Sequence, residues 1–257
     1  MKRPPNKGGT RLLLFNPNTT EAVTELMMRS ARAVVSPGVV IDALTAPRGV
    51  PYISSRAEAQ IGGAIALECL AAAPAPDVAI LAAFGDPGLH AARELFDFPV
   101  IGVSEAAMLA ACLLGGKFLI VSFTSAMLGW YRDCVAMHGL EARCAGVVAL
   151  DLPFGAIESV QDAQAEPLIV FANKEARARG AACVIFAGAP LAGLAARARD
   201  LLDVPGVDPV AAAVKFAESL VALQPAKART GPFARPFAKD STGLPAALAN
   251  RLRRRDV

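Results

Sequence analysis

The chain predicts an α/β protein of two pseudo-symmetric parallel-sheet lobes, joined by internal duplication around an interlobe cleft. Three observations carry this expectation. Short apolar runs alternate with helical stretches along most of the 257 residues, the pattern of parallel strands joined by crossover helices. Apolar residues make up 54% and charged residues 19%, enough for a large core of mostly Ala, Val and Leu. The second half also echoes the first: Arg11–Asn16 aligns with Lys117–Ser122 at an offset of 106, and Ala83–Leu89 with Gly188–Leu194 at 105.

Residues 1–10 are a polar, flexible lead-in without the apolar stretch of a signal peptide. Arg11–Phe15 reads as the first strand. Asn16-Pro17-Asn18-Thr19-Thr20 breaks it and caps a helix to about Ala33. Val39–Leu44 is a strand, Thr45–Ser55 a rim loop, and Arg56–Ala72 a helix capped by Ser55 and stopped by Pro74 and Pro76. Val78 opens a wholly apolar run that stops at Phe84-Gly85-Asp86-Pro87-Gly88, as a strand buried on both faces does. A helix over Leu89–Leu95 and a strand over Val100–Val103 complete the first half.

The second half opens with a helix from Ser104-Glu105 to about Leu114, closed by Gly115-Gly116. A strand over Lys117–Val121 leads into Ser122-Phe123-Thr124-Ser125, then a helix from Ala126 to Met137 that Gly139 ends. Next come a strand at Val147–Leu150, a rim loop at Asp151–Ser159, and a helix at Gln164–Arg179. A strand at Cys183–Ala187, helix over most of Pro190–Leu201, a short strand at Val207 and a last helix from Pro209 to Leu223 follow. The first lobe is thus 11–103 plus 208–223, and the second 104–207. Residues 224–257 are expected to form an appended, largely disordered basic tail with a short helix over Ala246–Arg254.

The formal net charge of +3 is unevenly placed. From Gln224 onward, Lys227, Arg229, Arg235, Lys239, Arg251, Arg253, Arg254 and Arg255 face only Asp240 and Asp256, a net +6 that leaves −3 for the body. Nucleic acid is therefore not an expected partner of the body. No apolar stretch approaches the ~20 residues of a membrane helix. The five cysteines are odd in number and lack a C-x-x-C pair, which fits thiols packed inside a cytoplasmic protein. His90 and His138 are read as belonging to no metal-ligand spacing, so no metal is expected.

Ligands of open α/β sheets sit beyond the carboxyl ends of the strands. Four turns fall there: Asn16–Thr20, Ala83–Gly88, Ser122–Ser125 and Gly188–Leu191. Asn16, Ser122 and Thr124 supply side chains suited to a carboxylate, or simply cap helices. The amides at Phe84-Gly85 and Gly188-Ala189 would hold carboxylate or carbonyl oxygens. Asp86 reads as a general base or a helix cap, and Ser104-Glu105 as substrate-orienting groups or another cap.

N-P-N-T-T after the first strand, F-G-D-P-G-L after the third, S-E-A-A at Ser104–Ala107 and A-G-L at Ala192–Leu194 together resemble the Asp/Glu/hydantoin racemase family, in its hydantoin and allantoin racemase branch. The resemblance covers about Arg11–Leu223. It implies an isomerase without cofactor, a homo-oligomer, a small carboxylate or cyclic ureide as substrate, and two cysteines flanking the substrate's α-carbon. At those two positions this chain has Ala83 and Gly188. The resemblance thus implies the fold and the pocket, with proton transfer left to non-cysteine groups, for which Asp86 and Glu105 are the candidates. A catalytically silent metabolite-binding relative, or a hydrolase or decarboxylase using the same anion pocket, are the alternatives.

Overall fold

The computed structural model describes residues 9–254 other than 152, 154 and 155. The first sheet consists of β1 (Thr10–Asn16), β2 (Val39–Thr45), β3 (Val78–Leu81) and β4 (Val100–Gly102) in the order β2-β1-β3-β4. The second consists of β5 (Phe118–Ser122), β6 (Cys144–Ala149), β7 (Cys183–Phe186) and β8 (Gly206–Val207) in the order β6-β5-β7-β8. Every pairing is parallel. The second order is the first with each strand number raised by four, the topological mark of duplication.

The helices are α1 (Glu21–Val34), α2 (Arg56–Ala72), α3 (Leu89–Leu95), α4 (Val103–Leu114), α5 (Leu128–Met137), α6 (Val160–Arg179), α7 (Leu194–Arg197), α8 (Pro209–Leu223) and α9 (Ala246–Arg253). Strand pleating divides the core. Leu12, Leu14, Val78 and Ile80 face a cluster that runs without a break into the second lobe through Phe84, Phe123 and Tyr131. Leu13, Phe15, Ala79 and Leu81 face a smaller cluster beneath α2 and α3. The lobes therefore share one core. α8 returns from the second sheet to pack on α1, α4 and β3. Asp208 caps α8 through Ala211 N–H at 2.8 Å and also accepts from Ser30 Oγ on α1 at 2.9 Å. α2 starts with a reciprocal cap: Ser55 accepts from Glu58 N–H while Glu58 accepts from Ser55 N–H.

The largest differences from the sequence expectation fall in two segments, beside starts at Cys144 for β6 and Val160 for α6 that lie three and four residues earlier than expected. Helix over most of Pro190–Leu201 shrinks to a single 3-10 turn at Ala189–Leu191 and the four residues of α7, because Gly193 at φ +86° breaks the run. The basic segment after Leu223, expected to be largely disordered, lies over the first lobe. Leu248 and Ala249 of α9 are buried, Arg251 stacks over the Phe96 ring, and Lys227 Nζ donates to the carbonyls of Arg93 and Glu94 at the end of α3. Its charge count concealed an apolar face of Leu248 and Leu252 at helical spacing. Within the second rim loop, residues 152, 154 and 155 lie outside the described residues.

Candidate functional site

The two glycine-bearing corners meet. Phe84 from the turn after β3 and Gly188-Ala189 from the turn after β7 line one cavity, together with Ala82, Met27, Val103 and Val210. Its volume is about 10 Å³, room for a single water. Aromatic side chains fill the rest of the junction. Phe84 and Tyr131 meet edge to face with ring centroids 4.8 Å apart, and Trp130 packs directly on Gly85. A Cβ at Gly85 would overlap the Trp130 ring, so only glycine admits this helix face. Gly188 sits at φ +118°, and a Cβ there would lie 2.9 Å from Phe123 Cε1 and 3.7 Å from Tyr131 Oη. The Tyr131 hydroxyl donates to Met127 Sδ at 2.9 Å, and full burial raises its pKa. A larger cavity of about 460 Å³ lies elsewhere, between β2 and the end of α2, lined by Arg11, Asp42, Leu44, Cys69, Pro74 and Pro76. It holds none of the four turns and is a surface groove.

The side chains singled out in the sequence divide into three groups. Asn16 is fully buried and turned inward: its Nδ2 donates to Asn18 Oδ1 at 3.0 Å and to Thr24 Oγ1 at 2.9 Å, and its Oδ1 accepts from Asn18 N–H. It ties the first turn to α1. Thr124 caps the 3-10 turn before α5 through Ala126 N–H, and Ser125 N–H donates to Asp151. Ser122 is different. It is fully buried, and its Oγ has no hydrogen-bond partner among the described residues. Val121 pairs with Phe186, so Ser122 stands abreast of Ala187, one residue from Gly188.

Asp86, Ser104 and Glu105 form the third group, behind Gly85 rather than in the cavity. Asp86 is buried at φ +49° and accepts from the N–H groups of Ser104 and Glu105, both at 2.9 Å, at the start of α4. It thus caps α4, a favourable place for a carboxylate. Gly102 must lack a side chain there, since a Cβ would occupy the place of the Asp86 carboxylate. Ser104 Oγ accepts from Gly85 N–H at 2.6 Å, so that amide is already engaged. Arg93 grips Glu105 with two parallel bonds.

The sequence reading missed the partner of this group. His138, at the end of α5, places Nε2 3.1 Å from Asp86 Oδ2 and Nδ1 3.5 Å from Glu105 Oε1. Burial opposes the imidazolium charge, but the bonds to Asp86, Cys134 and Glu105 outweigh it and raise the His138 pKa. Burial likewise opposes the Glu105 charge, and the bonds from His138 and Arg93 outweigh it and lower the pKa. Burial and the Asp86 charge push the Cys134 thiol up to about 11. One signal was in the sequence: Cys134 and His138 are four apart and so share a helix face.

These observations fix what the site can do. Neither Ala83 nor Gly188 has a titratable side chain; the Tyr131 hydroxyl lies at the Gly188 corner with its pKa raised by burial, and the carboxylates form the Asp86–His138–Glu105 network behind the Gly85 corner. Comparisons with known proteins agree with the architecture. Residues 12–217 match the family model described as Asp/Glu/Hydantoin racemase. A hydantoin racemase from Paenarthrobacter aurescens is 33% identical over 232 residues, 89% of this chain and 98% of the relative. The crystal structure of an allantoin racemase from Pseudomonas fluorescens is similar with TM-score 0.85 and 31% identity, over 91% of this chain and 100% of that one. An allantoin racemase from Klebsiella pneumoniae is similar with TM-score 0.87 and 36% identity, over 93% of this chain and 98% of that one. With the family model spanning both lobes, the chain belongs to the Asp/Glu/hydantoin racemase family.

Proposed function

We propose that the chain is an isomerase-type enzyme acting on a cyclic ureide or related amino-acid derivative at the junction of the two lobes. The buried hydroxyl of Ser122 carries this reading. A buried donor without an acceptor is rare in folded proteins and calls for one, and this one stands beside the Gly188 corner. A ureide carbonyl or a carboxylate oxygen supplies it. The substrate class comes from the relatives, which are named for hydantoin and allantoin. Binding requires α5 to withdraw Trp130 and Tyr131, because the closed cavity has no room for a ureide. Proton transfer falls to the Asp86–His138–Glu105 network, with Asp86 and Glu105 as its carboxylates, and without an organic cofactor. A cytoplasmic homo-oligomer completes the proposal, and light scattering on the purified chain tests its assembly.

A second reading rests on Gly188. Its positive-φ backbone and the Phe123 ring over it leave no room for a side chain, and the resemblance assigns this position to the second cysteine. On that reading the chain binds the same ligand and turns nothing over. One experiment separates the two. Hydantoin or allantoin is incubated with the protein in deuterated water, and the α-proton signal is followed by NMR while Trp130 fluorescence reports binding. Loss of the α-proton that D86N and E105Q suppress supports the enzyme. Binding without exchange supports the silent relative. Neither binding nor exchange with a panel of ureides and carboxylates removes both.

A further inference from the structure

We propose that Asp86, Cys134 and His138 form a binding site for one divalent transition-metal ion of the zinc class. The three donor atoms, one carboxylate oxygen, one thiol sulfur and one imidazole nitrogen, lie within 4.8 Å of one another. Ligands of a tetrahedral ion at about 2.0–2.3 Å stand roughly 3.3–3.8 Å apart. Reaching coordination distance requires donor atoms up to 4.8 Å apart to draw together by about 1–1.5 Å. The donors come from two elements that close on each other: Asp86 from the turn after β3, and Cys134 with His138 from one face of α5. All three are screened from solvent, with side-chain exposures of 0% for Asp86 and 5% for His138 and a buried Cys134.

A second, independent feature points the same way. The outer nitrogen of His138, Nδ1, faces the Glu105 carboxylate, which Arg93 holds in a two-bond grip. Metal-bound imidazoles are commonly oriented by such a carboxylate on the nitrogen that does not bind the ion. Asp86 keeps both of its amide donors, because a carboxylate has lone pairs to spare for an ion. The proton balance is simple. The ion takes the places of the Nε2 proton and the thiol proton, which pass to solvent, so one dication replaces two protons and the buried charge is unchanged. A mixed N, S, O donor set suits zinc and cobalt(II), whereas magnesium and calcium take oxygen alone. The three residues leave one coordination position for a water. The consequence is mechanical: the ion would hold the closed state, in which Trp130 and Tyr131 cover the corner at Gly85, and opening for substrate requires its release.

The test uses the full chain freed of metal by chelation and then titrated with cobalt(II) alone. The expected result is one equivalent bound per chain, with the visible bands of a tetrahedral site and the near-ultraviolet thiolate-to-metal band. C134S removes the near-ultraviolet band. E105Q weakens binding about 10–100-fold without changing the spectrum. C69S, at a cysteine remote from the cluster, changes nothing. Circular dichroism checks that each variant folds, and C134A stands in for C134S where serine is not tolerated. Absence of the bands in the wild type overturns the proposal. So does their survival in C134S or C134A, or their loss in C69S.

Discussion

Replacing Gly188 by alanine adds one methyl group where the structure has neither space nor a suitable backbone. At φ +118° and ψ 134° the residue lies in a region that side chains rarely adopt. Holding a non-glycine residue there costs about 1–3 kcal/mol. The new Cβ would also stand 2.9 Å from Phe123 Cε1, and Phe123 is fully buried, so the ring must shift within a packed core. Overpacking of that kind costs about 1–3 kcal/mol. The sum, about 2–6 kcal/mol, lowers the melting temperature by at least roughly 4 °C at 2–4 °C per kcal/mol. Urea unfolding of the wild type, G188A, F123L and G188A/F123L separates the two parts. Shortening Phe123 relieves the contact but not the backbone, so the cycle should show favourable coupling while G188A/F123L stays less stable than F123L. G188C should suffer the same penalty, so a cysteine at this corner requires the backbone to move first. A G188A protein as stable as the wild type would refute the reasoning, because both contributions would then be absent.

Three other outcomes are expected. G102A drives the Asp86 carboxylate from the start of α4 and from His138, and breaking that buried pair should cost about 3–5 kcal/mol in urea unfolding followed by Trp130 fluorescence. L248A removes the buried anchor of α9, so limited proteolysis should cut the segment after Leu223 roughly tenfold faster than in the wild type, while the two sheets survive. E58Q should cost about 1 kcal/mol at neutral pH. Bonds from Ser54 and Ser55 lower the Glu58 carboxyl below its ordinary value, so its contribution is present above about pH 4.3 and fades as pH falls through the folded-state value. Wild type and E58Q should then unfold at the same urea concentration in strong acid.

The strands were legible because burial on both faces leaves an unbroken apolar run. Val78–Leu81, Phe118–Val121 and Cys183–Phe186 could hardly read otherwise, and each is buried along its length. α2 was legible to the residue because Ser55 spells its start and Pro74 and Pro76 its end. Duplication was legible because equivalent turns recur at nearly one offset. What escaped was set by contacts between distant residues. Nothing local says that His138 reaches across 52 positions to Asp86, or that Trp130 and Tyr131 close over the glycine corners. The short helix of the tail was legible, but its docking escaped because charge and proline are counted over a segment, whereas docking depends on where its few leucines fall.

The return of α8 to the first sheet has a consequence for synthesis. Residues 209–223 pack on β3 and α1, yet they are the last part of the paired lobes to leave the ribosome. The amino-terminal half must therefore wait, with part of the α1 face of its sheet uncovered, until the carboxyl-terminal half has emerged. A nascent chain halted near Gly115 should be a strong client for holdase chaperones, and one halted well beyond Leu223 should not.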